Sequence, residues 1–400
     1  MRKPLLRIPY TEILPRPTII PPVASTLPGA VAALRQFLLS PTPGDLPAST
    51  VVLSGAGLSV ASGLADYRGV RGTYRVNKSY RPIYYHEFVS NHEARKRYWA
   101  RSFLGWSTLH KGKPNAGHFA VRDLGQLGIV SRVITQNVDS FHSRAHPHIP
   151  TLELHGYLRA TVCTSCRKEF PRDAFQDDLA RLNPAWAAVL AEAVASGALE
   201  TEDPDDQRRR GIRTNPDGDV DLPNAPYTTF RYPACPSCLA DPPSLPDGSK
   251  AVVEVDYQGA WMPPSSAGIL KPAVIMFGES IPSNIKDAAE HAIDSAGRLL
   301  VLATSLATYS AWRLAKRAKD RGMPIAVVNI GGVRGEESFF TGLDPEQAGA
   351  QGVRAELSTQ DLLPALVGAL QESGVKNEGS RDAAVTPGHH GASVFKDMLS

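Results

Sequence analysis

Short apolar, β-branched runs alternate along this chain with longer stretches in which apolar residues recur at helical spacing, and that alternation sets the predicted elements. Gly29 to Leu39 reads as an amphipathic helix. Thr50-Val51-Val52-Leu53 then reads as a buried strand that breaks off at Gly55-Ala56-Gly57, where a helix is expected to start. Val130 to Thr135, Thr151 to Leu154, Leu299 to Ala303 and Ile325 to Ile330 repeat the pattern of an apolar run ending in small or polar residues. The apolar core resumes at Leu270 after a long interruption, and a helix from Asp361 to Leu370 closes the fold. Strands and helices in alternation predict an α/β fold on a doubly wound parallel sheet, with ligands gathered at the strand carboxyl ends.

Two interruptions carry other patterns. Gly72 to Asn115 is rich in aromatic residues and arginine, including R-K-R-Y-W-A-R-S-F-L-G-W from Arg95 to Trp106. Alternating rings and cations can bind RNA, but at helical spacing they predict a helical module with packed rings and solvated charges. Within the second interruption, Asn183 to Leu199 reads as a helix, Thr201 to Asn224 as charged and turn-rich, and Leu239 to Gly268 as a Pro- and Gly-containing insertion.

Composition narrows the class. The chain has 400 residues, 42% of them hydrophobic, and a net charge of +3. That size supports a large core, and so small a charge implies no broad nucleic-acid field; no nucleic-acid partner is expected. No apolar run reaches bilayer length, so no membrane span is expected, and the chain is read as a monomer. All four cysteines fall into two C-x-x-C pairs, Cys163/Cys166 and Cys235/Cys238. This pairing predicts one structural zinc held by four thiolates, a closed site with no position for substrate. Sixty-eight residues lie between Cys166 and Cys235, which is tolerable because each knuckle is local and loop closure cost rises slowly with length. His142, His146 and His148 look metal-like by count, but the cysteines already supply a complete ligand set.

The glycine turn lacks the ordinary dinucleotide fingerprint. Three residues after Gly57 stands Val60, the next glycine is Gly63, and no G-K-S/T follows. Asp66 and Arg68, just beyond the turn, suit an amide and a phosphate. The stretch resembles the sirtuin family of NAD-dependent protein deacylases, whose signature is G-A-G-x-S-x-x-S-G-I-P-D-F/Y-R. Gly55, Ala56, Gly57, Ser59, Ser62, Gly63, Asp66, Tyr67 and Arg68 are in register, with Leu64-Ala65 in place of Ile-Pro. Pro114-Asn115-Ala116-Gly117-His118 resembles the family's P-N-x-x-H. Gln136-Asn137-Val138-Asp139-Ser140-Phe141-His142 resembles its T-Q-N-x-D-x-L-H, and Leu154-His155-Gly156 its L-H-G. Lys271-Pro272 through Val274, Ile275, Phe277, Gly278 and Glu279 is similar to its substrate-binding stretch K-P-x-V-V-x-F-G-E. Ala303-Thr304-Ser305-Leu306 resembles G-T-S-L, with alanine for glycine, and Asn329-Ile330-Gly331 resembles N-x-G. The aromatic helical stretch is similar to that of class II, the mitochondrial branch associated with deacylase, lipoamidase and ADP-ribosyltransferase activities.

The resemblance implies a Rossmann-like domain at 28–155 and 270–370, with the helical module at about 72–115 and a zinc-binding module at 156–269. It implies that NAD is a consumed co-substrate and that acyl-lysine proteins are the partners. The acyl oxygen would attack the ribose carbon as nicotinamide leaves, giving an alkylimidate. Asn137 and Asp139 would position the nicotinamide ribose and carboxamide, assisted by Asp66. His155 would act as general base for the ribose hydroxyl, releasing deacylated lysine and O-acyl-ADP-ribose. Gly55, Ala56, Gly57, Ser59, Tyr67, Arg68, Gln136, Thr304, Ser305, Leu306, Asn329, Ile330 and Gly331 would complete the cofactor site. The substrate would pair as an added strand with Val274 to Glu279. The alternatives are protein mono-ADP-ribosyl transfer, an NAD-dependent dehydrogenase, which the missing third glycine disfavours, and a zinc-stabilised module that senses NAD without turnover.

Residues 1–27 hold Arg2, Lys3, Arg7 and Arg16 against the single acid Glu12, the basic, acid-poor composition of a mitochondrial transit segment. The matrix is the expected location, with nucleus or cytoplasm as the alternative and an unfolded arm as the competing reading. Residues 371–400 are polar and read as a disordered tail.

Overall fold

The computed structural model describes residues 11, 13–77, 80–197, 199, 213–214, 219–222, 224–343 and 348–374. Much of the arm, nearly all of the tail and most of the insertion 201–224 lie outside the described residues. In chain order the strands are β1 (Thr50–Ser54), β2 (Val130–Thr135), β3 (Thr151–Glu153), β4 (Gly156–Cys163) and β5 (Glu169–Pro171). Next come the two-residue strands β6 (Arg213–Thr214), β7 (Val220–Asp221), β8 (Glu254–Val255) and β9 (Trp261–Met262). β10 (Leu270–Val274), β11 (Arg298–Leu302), β12 (Ile325–Val328) and β13 (Gly352–Ala355) complete the set.

The described residues form two compact units, one of 11–77, 113–154 and 283–374, the other of 80–112 and 155–282. The first unit is a six-stranded sheet in the order β13-β12-β11-β1-β2-β3, parallel at every pairing. The chain order reverses between β1 and β11, the switch point at which doubly wound sheets bind nucleotides. All residues of β1, β11, β12 and β13 are buried, as expected of strands covered on both faces. On one face Val52, Leu300, Leu302, Ala326 and Val328 pack with Leu34 and Phe37 of the helix Leu27–Leu39 and with Leu362, Leu363 and Leu366 of the helix Thr359–Glu372. The side chains between them, Val51, Leu53, Leu299 and Val301, are buried on the opposite face.

Two sequence expectations change here. The segment after the glycine turn is a 3-10 helix, Ala56–Ser62, ended by Gly63 in the left-handed region at φ 85°, rather than an α-helix. Its short length leaves little helix dipole at its N-terminus. The residues read as the end of an unstructured arm are also folded: Pro22–Ser25 forms a 3-10 turn and Ile20 pairs antiparallel with Arg354 of β13.

The second unit contains the antiparallel sheet β10-β4-β5 and the helices Tyr85–Ser90, His92–Lys111, Arg172–Leu182 and Pro184–Ala195. Trp99, Phe103, Phe175 and Phe230 pack in one cluster with Cys163, Cys235 and Cys238. The aromatic run therefore turns its rings inward and groups with the cysteine-bearing elements, whereas the sequence placed it with the nucleotide-binding domain. β10, expected to resume the parallel sheet, instead pairs with β4, Leu270 lying opposite Cys163. Its register is tied to the metal knuckle.

Candidate cofactor and metal sites

The carboxyl ends of β1 and β11 meet so closely that only glycine fits between them. A Cβ on Gly55 would lie 2.6 Å from the Thr304 Cβ, and one on Gly57 would lie 2.9 Å from the Ala303 carbonyl oxygen. Two backbone bonds close the contact, Gly55 N donating to Leu302 O and Gly57 N to Ala303 O, each at 3.1 Å. Ala303 itself adopts φ 51°, a left-handed conformation that glycine takes without strain. Its methyl faces Gly57, so the loop absorbs the departure from glycine. Thr304 Oγ1 accepts from Leu306 N at 3.1 Å and from Gln136 Nε2 at 2.9 Å, and Thr308 Oγ1 donates to Gln136 Oε1 at 3.1 Å. Ser305 follows on the same loop, its carbonyl accepting from Arg334 N at 2.9 Å.

Ser59, Asn137 and Asp139 come together beside this loop. Asn137 Nδ2 donates to Gly55 O and to Ser59 Oγ, both at 3.1 Å, and Ser59 Oγ donates to Asp139 Oδ2 at 2.6 Å. Burial raises the Asp139 carboxyl above its ordinary range, against the lowering effect of the Ser59 hydroxyl and of Phe141 N, which donates to Oδ1 at 2.8 Å. A desolvated carboxyl beside an amide and a hydroxyl is a donor and acceptor set suited to ribose hydroxyls and a carboxamide.

Asp66 belongs to a second turn of the same unit. Its Oδ1 accepts from Gly69 N at 2.9 Å, and a Cβ on Gly69 would lie 2.0 Å from Oδ2. Burial raises the Asp66 carboxyl and lowers the Arg68 guanidinium, whose Cζ stands 5.0 Å over the Tyr74 ring. Tyr67 packs on the same ring at 5.6 Å. Leu64 is buried, filling the apolar position where the family has isoleucine.

Supporting residues emerge that sequence reasoning did not place in the site. Asn115 caps the helix Ala116–Gln126, accepting from Gly117 N at 3.0 Å, while its Nδ2 donates to Leu58 O at 2.7 Å and Ser62 Oγ at 2.9 Å, which anchors the 3-10 helix. Its signal was legible as an N-cap. Behind the Asn137 loop runs a buried chain of hydrogen bonds. Asn137 N donates to Thr135 Oγ1 at 3.1 Å and Ser54 Oγ donates to the same oxygen at 3.0 Å. His142 Nε2 lies 2.8 Å from Ser54 Oγ, and His142 Nδ1 lies 2.8 Å from His146 Nε2. Both ring nitrogens of His142 are thus used inside the protein, which gives this histidine a structural task; His148 is exposed. The His118 ring lies 5.0 Å from that of His142.

Asn329, Ile330 and Gly331 follow β12. Asn329 Nδ2 donates to the carbonyls of Ile330 and Gly331, both at 3.1 Å, and Gly331 N donates to Glu356 Oε1 at 3.0 Å. The expected cofactor residues from Gly55 to Gly331 therefore all belong to the sheet unit.

His155 directly follows Leu154 but belongs to the second unit, where it accompanies the stretch read as substrate-binding. Its carbonyl accepts from Ile275 N at 2.8 Å. Gly156 next to it has φ 75°, and a Cβ there would lie 2.2 Å from Ala273 O, so this position of L-H-G requires glycine. Only Val274 of the stretch Val274 to Glu279 is in a strand; the rest turns. Lys271 Nζ donates to Val274 O at 2.7 Å and pairs with Glu279 at 3.3 Å, while Glu279 Oε2 accepts from Met276 N at 2.9 Å. Gly278 sits at φ 80°, and Phe277 O accepts from Tyr85 N at 2.9 Å.

The sulfurs of Cys163, Cys166, Cys235 and Cys238 all lie within 4.8 Å of one another, the only such metal-ready group among the described residues. Cys163 and Cys238 are 3.5 Å apart and Cys166 and Cys235 are 3.6 Å apart. A tetrahedron with zinc–sulfur bonds of ~2.3 Å has edges of about 3.8 Å, so the donor set fits zinc. Hydrogen bonding with Cys235 draws the Cys163 thiol down, whereas burial pushes Cys238 up.

Sheet order, loop contacts and cysteine cluster together define a dinucleotide-binding α/β protein with a structural metal knuckle. The chain belongs to the Sir2 family, whose profile matches residues 55–310. It is 39% identical over 295 residues to an NAD-dependent protein deacylase of Batrachochytrium dendrobatidis, covering 72% of this chain and 83% of that protein. An NAD-dependent protein deacylase of Arabidopsis thaliana is 35% identical, over 72% of this chain and 67% of that one. Among solved structures, one described as "Structural Basis for the Mechanism and Regulation of Sir2 Enzymes" has a TM-score of 0.53 at 21% identity, covering 86% of this chain and 98% of the other. That likeness shows the fold.

Two predictions follow from these geometries. Metal analysis of protein purified without chelator should give one zinc per chain, and Cys235→Ser should lower it; zinc-free folded protein would refute the assignment. The second concerns acid. Burial depresses His118 to about 3 and also lowers His142 and His146, so all three are neutral in the native protein at pH 7. Below the ordinary histidine value near 6.5 the unfolded chain takes up protons that the native state refuses. The contribution of His118 is therefore full above about pH 6.5 and falls by about 1.4 kcal/mol per pH unit as pH drops toward 3, and His142 and His146 act in the same direction. Asp66 and Asp139, raised by burial, work in the opposite sense, so the comparison is with His118→Gln, whose urea midpoint should fall less between pH 7 and pH 5. Equal slopes would refute it.

Proposed function

We infer that this protein is an NAD-dependent protein deacylase acting on acyl-lysine side chains. The observation that carries this reading is the meeting of Ser59, Asn137 and Asp139 beside the Gly55–Gly57 turn, in a chain of the Sir2 family. Bound NAD supplies an electrophilic ribose carbon with nicotinamide as its leaving group. Asn137 and Asp139 hold ribose hydroxyls and the carboxamide, and Asp66 assists. The Gly55 and Gly57 amides are engaged with Leu302 and Ala303, so the Arg68 guanidinium would be the group that meets the diphosphate. Gln136 and Thr304 brace each other, and the Thr304–Leu306 and Asn329–Gly331 loops supply the remaining contacts.

His155 serves as general base for a ribose hydroxyl, as its place in L-H-G suggests. The peptide substrate pairs by its main chain with the stretch after β10. The amides of Ile275 and Met276 and the carbonyls of Val274 and Phe277 are already engaged within the chain, so pairing narrows to the remaining groups there. Assignment to class II rests on the similarity of the aromatic helical stretch, and import into the mitochondrial matrix on the basic N-terminus. Mass spectrometry of NAD reactions with a panel of acyl-lysine peptides tests the chemistry: deacylated peptide with O-acyl-ADP-ribose supports it, and peptide carrying ADP-ribose would replace it with transfer.

If His155 acts after nicotinamide has left, His155→Ala should stop release of deacylated peptide while keeping some exchange of labelled nicotinamide into NAD. General-base loss costs about a hundred- to ten-thousand-fold. Asn137→Ala should impair both steps. A folded, zinc-loaded His155→Ala protein that deacylates at near the parental rate, or that loses both steps together, ends the assignment. A reporter fused to residues 1–45 should accumulate in mitochondria; uniform cytosolic or nuclear signal would count against import.

A further inference from the structure

Arg354 of β13 has no exposed surface, yet its neighbours on the strand, Val353 and Ala355, are the apolar residues expected there. Two of the bonds of its guanidinium go to one loop, Asn329–Gly332, and a third to Glu336 just beyond it. Nη1 donates to Asn329 O at 2.9 Å and to Ala355 O at 2.8 Å, Nη2 donates to Gly331 O at 2.6 Å, and Nε donates to Glu336 Oε2 at 2.6 Å. Glu336 in turn accepts from Val333 N at 3.3 Å. The main chain of Arg354 is clamped from the other side: its N–H donates to Ile20 O at 2.6 Å and its carbonyl accepts from Ile20 N at 3.1 Å. The same upstream segment reaches the loop directly, since a Cβ on Gly332 would lie 2.1 Å from Pro15 O and 2.8 Å from Leu14 Cβ.

A peptide unit is planar and trans, so its carbonyl and the following N–H point in opposite directions. With the Asn329 carbonyl drawn onto Arg354, the Ile330 N–H is turned away from the guanidinium, and Ile330 is 54% exposed. The guanidinium thereby fixes which face of the loop offers donors. Lysine, a single point charge, cannot reproduce this fork across two loop carbonyls and a carboxylate.

We propose that Arg354, backed by the segment Leu14–Ile20, is the positioning residue of the Asn329–Gly332 loop and sets the affinity of that loop for NAD without touching it. The proposal rests on the cofactor reading given above. It also implies that any processing of the N-terminus must leave Leu14–Ile20 in place, although this segment falls inside the stretch whose composition suggests a transit peptide.

The test is calorimetric titration of the full-length, zinc-loaded protein with ADP-ribose, beside steady-state KM values for NAD and for an acyl-lysine peptide. Arg354→Lys should weaken ADP-ribose binding and raise the NAD KM by about tenfold, the scale of one lost charge-assisted hydrogen bond, with the peptide KM and kcat within twofold. Ile20→Pro, which removes the amide that clamps Arg354, should shift the same two quantities in the same direction. Should Arg354→Lys fail to fold, Glu336→Gln keeps the guanidinium and weakens its anchor, and a smaller shift in ADP-ribose affinity is expected. Parental affinity in a folded Arg354→Lys or Glu336→Gln protein, or NAD and peptide KM rising together, overturns the proposal. Absence of ADP-ribose binding by the parental protein overturns the cofactor reading itself and the proposal with it, so the two failures are distinct.

Discussion

The contact between the ends of β1 and β11 constrains everything in the sheet unit. Gly55 lies against Thr304 and Gly57 against Ala303 at distances that exclude any side chain. That approach lets the chain leave β1 in a tight 3-10 turn, which places Ser59 against Asp139 and leaves the Gly55 carbonyl as a partner for Asn137. Substituting either glycine would force the two strand ends apart, and with them the loops that carry Gln136, Asn137 and Thr304. The strain accepted at Ala303 and Leu306, both left-handed and not glycine, belongs to the same crossing. Left-handed backbone costs a β-carbon residue about 1–2 kcal/mol, which the surrounding hydrogen bonds offset.

Within each unit the protein spends charge on shape. Arg354 with Glu336 holds the loop after β12, and Lys271 with Glu279 folds the stretch after β10 back on itself. Arg101 pairs with Asp219 at 2.6 Å in the second unit. Removing one partner of such a buried pair costs about 3–5 kcal/mol, because the other is left without compensation, whereas an apolar replacement of both can be nearly neutral. Ion pairs retained at loops carrying expected cofactor and substrate residues are thus better explained by the geometry they impose than by stability alone.

What was legible in the sequence divides along the same physical line. Strands buried on both faces, such as Val51 to Leu53 and Leu299 to Leu302, announce themselves as apolar runs, and the paired C-x-x-C motifs announce a tetrahedral sulfur site. The glycine turn was legible because only glycine satisfies its sterics. Pairing partners were not: nothing local in Leu270 to Val274 says that this strand joins β4 across the cysteine knuckle rather than the parallel sheet. Nor does the Arg95 to Trp106 run say against which core its rings pack, since helical periodicity defines a face and not its partner. The roles of Arg354, Ser54 and Thr135 were hidden for a related reason. Each lies in a strand, where a single polar residue reads as noise, and its meaning comes from atoms on strands or loops far away in sequence.

The histidine chain shows why such hidden residues matter for chemistry. Thr135 Oγ1 receives both the Asn137 amide and the Ser54 hydroxyl, so its lone pairs fix where the backbone turns from β2 into the Asn137 loop. Ser54 Oγ in turn lies 2.8 Å from His142 Nε2, and His142 Nδ1 lies 2.8 Å from His146 Nε2, so the two rings continue the chain behind the loop. Burial keeps these rings uncharged, and His118 close by would make any added proton costlier still. Uncharged rings thus hold the Asn137 loop without placing an imidazolium behind it, and the Asp139 carboxyl answers chiefly to its own burial, to Ser59 and to the Phe141 amide.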